Sequence, residues 1–181
     1  MATVIFAHGR DSGPWGPKIR VLARIAEHCG LRVISCDDRD TLDPETRILR
    51  LIKSASEETG QILLVGSSMG GYVATVASSQ VGAAGLFLMA PAFGMPGYKR
   101  KMPNTEVENI EIVLGWDDQI VPEESVLSFA RTHRATLHIL PASHRLVEEL
   151  AQIEGIFERF IQKSLALSPA AKPTGRQMAC F

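Results

Sequence analysis

A serine hydroxyl becomes a nucleophile when a base takes its proton and a third group orients that base. One segment of the sequence suits the nucleophile. Gly66-Ser67-Ser68-Met69-Gly70 follows the apolar run Gln61–Val65 directly and leads into a stretch of small residues. A G-x-S-x-G pattern between a strand and a helix makes a sharp turn that lifts the Ser68 hydroxyl clear of the sheet. Glycines two before and two after the serine leave room where a Cβ would clash. The helix that follows aims its first N–H groups at the same place, where they stabilise negative charge. Gly71, Ala74 and Ala77 keep that helix close to the sheet. The competing reading is a glycine-rich turn of a nucleotide-binding unit. Against it, no Gly-Lys of a phosphate loop is present, and no G-x-G-x-x-G follows the first strand.

The partners of Ser68 are sought in later loops. Asp118 lies in Gly115-Trp116-Asp117-Asp118-Gln119-Ile120-Val121-Pro122, and His144 in Pro141-Ala142-Ser143-His144-Arg145. Serine, aspartate and histidine in that order suit acyl transfer, with His144 as base and Asp118 as the orienting acid. Asp117 is a close rival for the acid. Alternatively, Asp118 caps the helix that opens near Pro122, and His144 caps the final helix or faces solvent. His133, in or at the end of a helix, and His138, inside a strand, are weaker candidates for the base. A tetrahedral oxyanion needs two preorganised N–H donors. These are expected from the backbone of Met69 and, in the loop His8-Gly9-Arg10, of Arg10. His8 then holds its loop by a side-chain hydrogen bond. Trp15, Phe93, Met95, Tyr98 and Trp116 lie in segments that can flank the site as an apolar substrate pocket, although core packing or surface exposure is the commoner fate of any one of them.

These loops need a scaffold, and the hydrophobic pattern supplies one. Short apolar runs at Thr3–Ala7, Leu31–Cys36, Gln61–Val65, Ala84–Met89, Ile110–Leu114 and Ala135–Leu140 read as six strands. Helical periodicity lies between them: Ile19, Leu22, Ala23 and Ala26 share one face, as do Ile48, Leu51, Ile52 and Ala55. Asp43 before Pro44 marks a helix start. Gly70–Gln80 forms a helix of small residues. Pro122 with Glu123 and Glu124 opens another, its acids at the positive end. A closing helix over roughly Leu146–Ser164 places Val147, Leu150, Ala151, Phe157, Phe160 and Ile161 together. Such alternation predicts an α/β fold, a three-layer α/β/α sandwich around a mainly parallel sheet of about six strands. Ligands in these sheets bind beyond the carboxyl ends of the strands, where the Ser68, Asp118, His144 and His8 loops all emerge. Residues 1–164 make one domain. Residues 91–109 form an irregular excursion, and 165–181 read as a mobile tail.

Composition bounds the partners. The chain has 181 residues, 45% hydrophobic and 22% charged, with a formal net charge of −1. A core of ordinary size needs no metal or disulfide support. Without a basic cluster, neither nucleic acid nor an anionic membrane is expected as the main partner. Cys29, Cys36 and Cys180 have neither zinc-site spacing nor the even count of a disulfide framework. The apolar run Thr3–Ala7 is too short for a signal or a membrane span, so the cytoplasm is the default location.

Together, His8-Gly9, Gly66-x-Ser68-x-Gly70, Asp118 four residues before Pro122, and His144 resemble the α/β-hydrolase superfamily over residues 2–162. The short length, with Ser12-Gly13-Pro14 and Lys18 after the first strand, looks like the small, nearly capless esterases of the YqiA and dienelactone-hydrolase type. The resemblance implies a sheet without the two N-terminal strands of larger members and hydrolysis with no metal or organic cofactor. Its substrate would be a small ester or thioester. Larger members carry a cap domain after the fourth of these strands. Residues 91–109 replace it here, which implies a shallow, open site. The rival readings are a binding protein that keeps this fold without turnover and a flavodoxin-like nucleotide-binding domain.

Overall fold

The computed structural model describes residues 1–167. Six strands form one sheet, every neighbouring pair parallel: β1 (Thr3–Ala7), β2 (Arg32–Ser35), β3 (Ile62–Ser67), β4 (Gly85–Met89), β5 (Ile110–Asp117) and β6 (Thr136–Ser143). Their spatial order is β2-β1-β3-β4-β5-β6. The chain therefore runs outward from β1 to the β2 edge, crosses back to β3, and continues to the β6 edge. This reversal beside β1 is the topological switch at which a parallel sheet opens a crevice.

Five helices accompany the strands: α1 (Pro17–His28), α2 (Pro44–Ser56), α3 (Met69–Val81), α4 (Glu123–His133) and α5 (Leu150–Ala166). Helices α1 and α5 pack on each other, as do α2 and α3. A parallel sheet covered on both faces needs strands apolar throughout, and β1, β3 and β4 are buried at every residue. The Phe157 ring of α5 lies 6.3 Å from Phe6 of β1 and 5.0 Å from Phe87 of β4. Each ring taken from water in this way contributes about 1.5–3 kcal/mol. On α1, Ile19, Leu22, Ala23 and Ala26 are buried, and on α2 Ile48, Leu51 and Ala55. Asp43 caps α2 by accepting from the Glu45 and Thr46 N–H groups.

Most boundaries fall within two residues of the sequence reading, and three depart further. Strand β5 continues to Asp117, and β6 runs through Pro141 to Ser143. A proline is tolerated there because β6 is an edge strand and Pro141 falls where the β5–β6 register shifts. The closing helix begins at Leu150 rather than near Leu146. Leu146 sits in a turn at φ 57°, with its N–H donated to the Ser143 carbonyl. It is buried from that turn, and so imitates the first step of a helical stripe. Val147 and Ala151 are exposed, and the buried face of α5 is Ile153, Ile156, Phe157, Phe160, Ile161 and Ser164. Leu165 and Ala166 still belong to α5; residues 168–181, most of the segment read as a tail, lie outside the described residues.

Candidate active site

Ser68 occupies the hinge between β3 and α3. Its backbone stands at φ 55°, ψ −119°, a conformation that side-chain-bearing residues seldom adopt and that costs about 1–3 kcal/mol. Four hydrogen bonds hold it there. The Ser68 N–H donates to Met89 O at 2.9 Å, and the Ser68 carbonyl accepts from Gly71 N at 2.9 Å, Ala92 N at 3.0 Å and Tyr72 N at 3.3 Å. A Cβ on Gly66 would overlap the Gly70 carbonyl, and one on Gly70 would overlap the Ala7 carbonyl. These two glycines let the first turn of α3 lie directly on the ends of β1 and β3.

From this hinge the Ser68 hydroxyl meets His144 Nε2 at 3.0 Å, and His144 Nδ1 meets Asp118 Oδ2 at 2.8 Å. An ionised carboxylate only accepts. Nδ1 therefore carries the proton, and Nε2 is left to accept from Ser68. The other Asp118 oxygen, Oδ1, accepts from Ile120 N at 2.9 Å and Val121 N at 3.1 Å. Burial pushes the Asp118 carboxyl pKa up, but the hydrogen bonds from His144, Ile120 and Val121 outweigh it, and the net shift is downward. Asp117 is exposed at the tip of β5.

Local packing brings the acid and histidine loops together. At Gly115 the β5–β6 register shifts, and a Cβ there would overlap the Ala142 carbonyl. The strands can approach this closely only because residue 115 is glycine, and the shift re-aims the chain leading to Asp118. On the other strand, the Leu146 N–H to Ser143 O bond closes the turn that carries His144. Gly115 was not picked out by sequence reasoning, since a glycine within an apolar strand has no spacing signature.

The loop after β1 reaches the same place: a Cβ on Gly9 would lie 3.5 Å from the Ser68 Cβ. Both His8 ring nitrogens are engaged. Nε2 accepts from Asp38 N at 3.0 Å, so Nδ1 bears the proton and donates to Gly9 O at 2.7 Å. His8 is thus a neutral strut of this loop. Met69 is the first residue of α3, where an N–H has no partner within the helix. Among the described residues no hydrogen bond takes the Arg10 N–H.

The candidate pocket residues separate. Phe93 is fully buried, its ring 4.6 Å from that of Phe129, and serves the core. Met95 and Tyr98 are partly buried against the core, Tyr98 with its ring 4.7 Å from Tyr72. Trp15 and Trp116 are exposed, and so are Ile120, which sequence reasoning passed over, and Val147, which it placed on the apolar face of the closing helix. Those four apolar side chains all sit on loops or strand ends at the carboxyl edge of the sheet. Residues 91–109 are anchored to the body of the protein at several points. They are strapped down by the Gly94 N–H to Lys101 O, by Arg100 N to the Tyr72 hydroxyl, and by Ser78 to Thr105. Of the other histidines, His138 bonds Glu111 at 3.0 Å inside the sheet and His133 packs its ring, tilted, against Phe129. Lys18, on the first turn of α1, is a further ionisable group here. Burial chiefly, with Arg145 adding, lowers its pKa to about 8, while Asp118 and Glu148 oppose the shift. Among the described residues there is no cluster of ligands able to hold a metal ion and no helix long and apolar enough to cross a membrane.

Residues 3–135 match the uncharacterised protein family UPF0227. The chain belongs to this family. A solved structure from Xanthomonas campestris, assigned to the alpha/beta hydrolase superfamily, is 31% identical, with a TM-score of 0.83 over 90% of this chain and 99% of that one. The chain thus has the alpha/beta hydrolase fold. The same fold recurs in two more distant structures. One is an a/b serine hydrolase without lid from Xanthomonas campestris (19% identity, TM-score 0.75, 93% and 84% of the two chains). The other is the Pyrococcus furiosus esterase Pf2001 (20% identity, TM-score 0.74, 90% and 83%). No curated protein matches the chain. The UPF0227 match contains Ser68 and Asp118 and stops before His144.

Proposed function

We propose that this UPF0227 member is a serine hydrolase that cleaves a carboxylic ester or thioester of a small substrate through an acyl-enzyme. The reading rests above all on the continuous chain Ser68 Oγ, His144 Nε2, His144 Nδ1, Asp118 Oδ2, with contacts of 3.0 and 2.8 Å. The relative described as a serine hydrolase without lid adds support from likeness of fold.

In the proposed reaction the Ser68 oxygen attacks the acyl carbonyl as its proton passes to His144 Nε2. Asp118 holds the imidazole in the required tautomer and stabilises its cationic form. The Met69 and Arg10 N–H groups receive the oxyanion. His144 then gives the proton to the departing alcohol or thiol, and water repeats both steps on the acyl group. The exposed Trp15, Trp116, Ile120 and Val147 side chains offer an apolar rim to an acyl chain. Such a rim favours small activated esters over a substrate that must be enclosed.

A fluorophosphonate probe, with the adduct mapped by mass spectrometry, tests the reading. Labelling at Ser68 that disappears in Ser68→Ala is the expected result. A native protein that stays unlabelled at Ser68 and hydrolyses no p-nitrophenyl ester of any chain length would instead point to a fold kept for binding.

A further inference from the structure

Arg47 is fully buried on α2, yet no carboxylate lies within ion-pair distance of it among the described residues. Its guanidinium is spent entirely on main-chain carbonyls. Nε and Nη2 donate to Thr41 O at 3.0 and 2.7 Å, while Nη1 donates to His8 O at 3.3 Å and Gly9 O at 3.4 Å. A buried cation is costly, and arginine is kept in such places where its fixed fork of donors sets geometry. Here the geometry that it sets is that of the loop beside Ser68.

The Gly9 carbonyl is where the donors converge. It accepts from His8 Nδ1 at 2.7 Å, from Ser12 Oγ at 3.4 Å and from Arg47 Nη1 at 3.4 Å. That carbonyl and the Arg10 N–H belong to one peptide group. In a planar trans peptide they point in opposite directions, so fixing the oxygen fixes the hydrogen. Donation to the oxygen also polarises the amide and strengthens its N–H as a donor. We propose that Arg47 and His8 are positioning residues that clamp the Gly9–Arg10 peptide from behind, presenting its N–H to the oxyanion formed at Ser68. Neither residue touches the reacting atoms. Arg47 also places a full positive charge behind the loop, with Asp38, Asp40 and Arg50 as its charged neighbours.

The inference rests on the serine-hydrolase reading, and one of its tests does not require turnover. The Arg10 amide proton, observed by NMR, moves upfield in Arg47→Met as its carbonyl loses a cationic donor. An unmoved resonance overturns the clamp even if no ester is ever found. In turnover, Arg47→Met lowers kcat about 10- to 100-fold, less than the 10²–10³ typical of deleting an oxyanion donor outright. KM stays within a few-fold, and the Ki of a trifluoromethyl ketone, which forms a tetrahedral adduct, rises in step with the loss in kcat. Arg47→Lys recovers part of it. If Arg47→Met does not fold, a pair at His8 decides. An Asn amide at position 8 donates from near the place of Nδ1, whereas a Gln amide reaches the place of Nε2. His8→Asn is expected to retain more kcat than His8→Gln, by about tenfold. Folded variants with unchanged kcat, a loss confined to KM, or the reverse order at His8 would overturn the clamp. A wild-type protein with no reactive Ser68 would count against the enzyme reading instead.

Discussion

Replacing Asp118 by asparagine changes one atom, and the structure dictates which way the new amide must face. Oδ1 of Asp118 accepts from two backbone N–H groups, Ile120 at 2.9 Å and Val121 at 3.1 Å. If the amide nitrogen took that place, it would confront both donors and forfeit two hydrogen bonds, each worth about 0.5–1.5 kcal/mol net and more when left unsatisfied. The oxygen therefore stays, and the new NH2 faces His144 Nδ1 across the 2.8 Å contact. Nδ1 must then accept, which moves the ring proton to Nε2. Nε2 can no longer take the Ser68 proton, although the 3.0 Å approach survives. The wrong tautomer costs about 10⁴ in kcat, or ~5.4 kcal/mol in the barrier, with little change in fold or in KM. Asp117→Asn alters an exposed side chain with no hydrogen bond to another described residue and should stay within about threefold, since surface changes of this kind are worth about 0.5 kcal/mol or less. Both variants are compared by initial rates on a p-nitrophenyl ester that the wild type turns over, corrected for the folded fraction. Asp118→Asn activity within tenfold of wild type, or a larger loss in Asp117→Asn, would refute the assignment of the acid.

Gly115→Ala adds a Cβ that collides with the Ala142 carbonyl and lies 2.8 Å from the Ser143 carbonyl, whereas Gly85→Ala collides with Phe160 and Ser164 at the other end of the sheet. Both should lose about 1–3 kcal/mol by urea unfolding, but only Gly115→Ala should also lower kcat at temperatures where it remains folded; equal activities would disconnect the strand approach from the site. Lys18 has its pKa lowered to about 8 from 10.5, so between those values the unfolded chain binds a proton that the folded protein does not. Stability from this group therefore rises with pH across that window and is lowest below it. Lys18→Met should flatten the rise and raise the urea midpoint at neutral pH, and an unchanged pH dependence would show the amine to be solvated. Arg134 ends α4 at φ 52°. Arg134→Gly relieves a left-handed backbone and should raise Tm by about 1–4 °C, because roughly 0.5–1 kcal/mol is at stake.

Much of the architecture is legible in the sequence because local signals and burial agree. The stripe Ile19, Leu22, Ala23, Ala26 is the buried face of α1, and Asp43-Pro44 opens α2 with both capping bonds formed. The loop positions of Ser68, Asp118 and His144 are equally readable, since a strand–turn–helix pentapeptide and two polar loops after apolar strands leave a clear trace. Failures came where side-chain periodicity was satisfied by something other than the expected element. Leu146 is buried from a turn, so its spacing to Leu150 looked helical. Phe93, an aromatic near the site in sequence, turned inward because the hydrophobic gain of packing on Phe129 exceeds what an open rim offers.

Other parts of the site left no trace because they act through the main chain. Met69 and Arg10 can be named from sequence as the proposed oxyanion donors, but side-chain patterns do not report the carbonyls and close approaches that set the orientation of those amides. Gly115 matters for the atom it lacks, and that shows only when Ala142 is seen against it. Arg47 sits on the apolar side of α2, in register with Ile48 and Leu51, where a charge looks like a departure from the stripe. Its reason lies 38 residues away, at the Gly9 carbonyl. A long polar side chain buried without a carboxylate partner is therefore a useful pointer in folds of this kind. What it holds is main chain, and main chain held that firmly beside a nucleophile is where an oxyanion would be received.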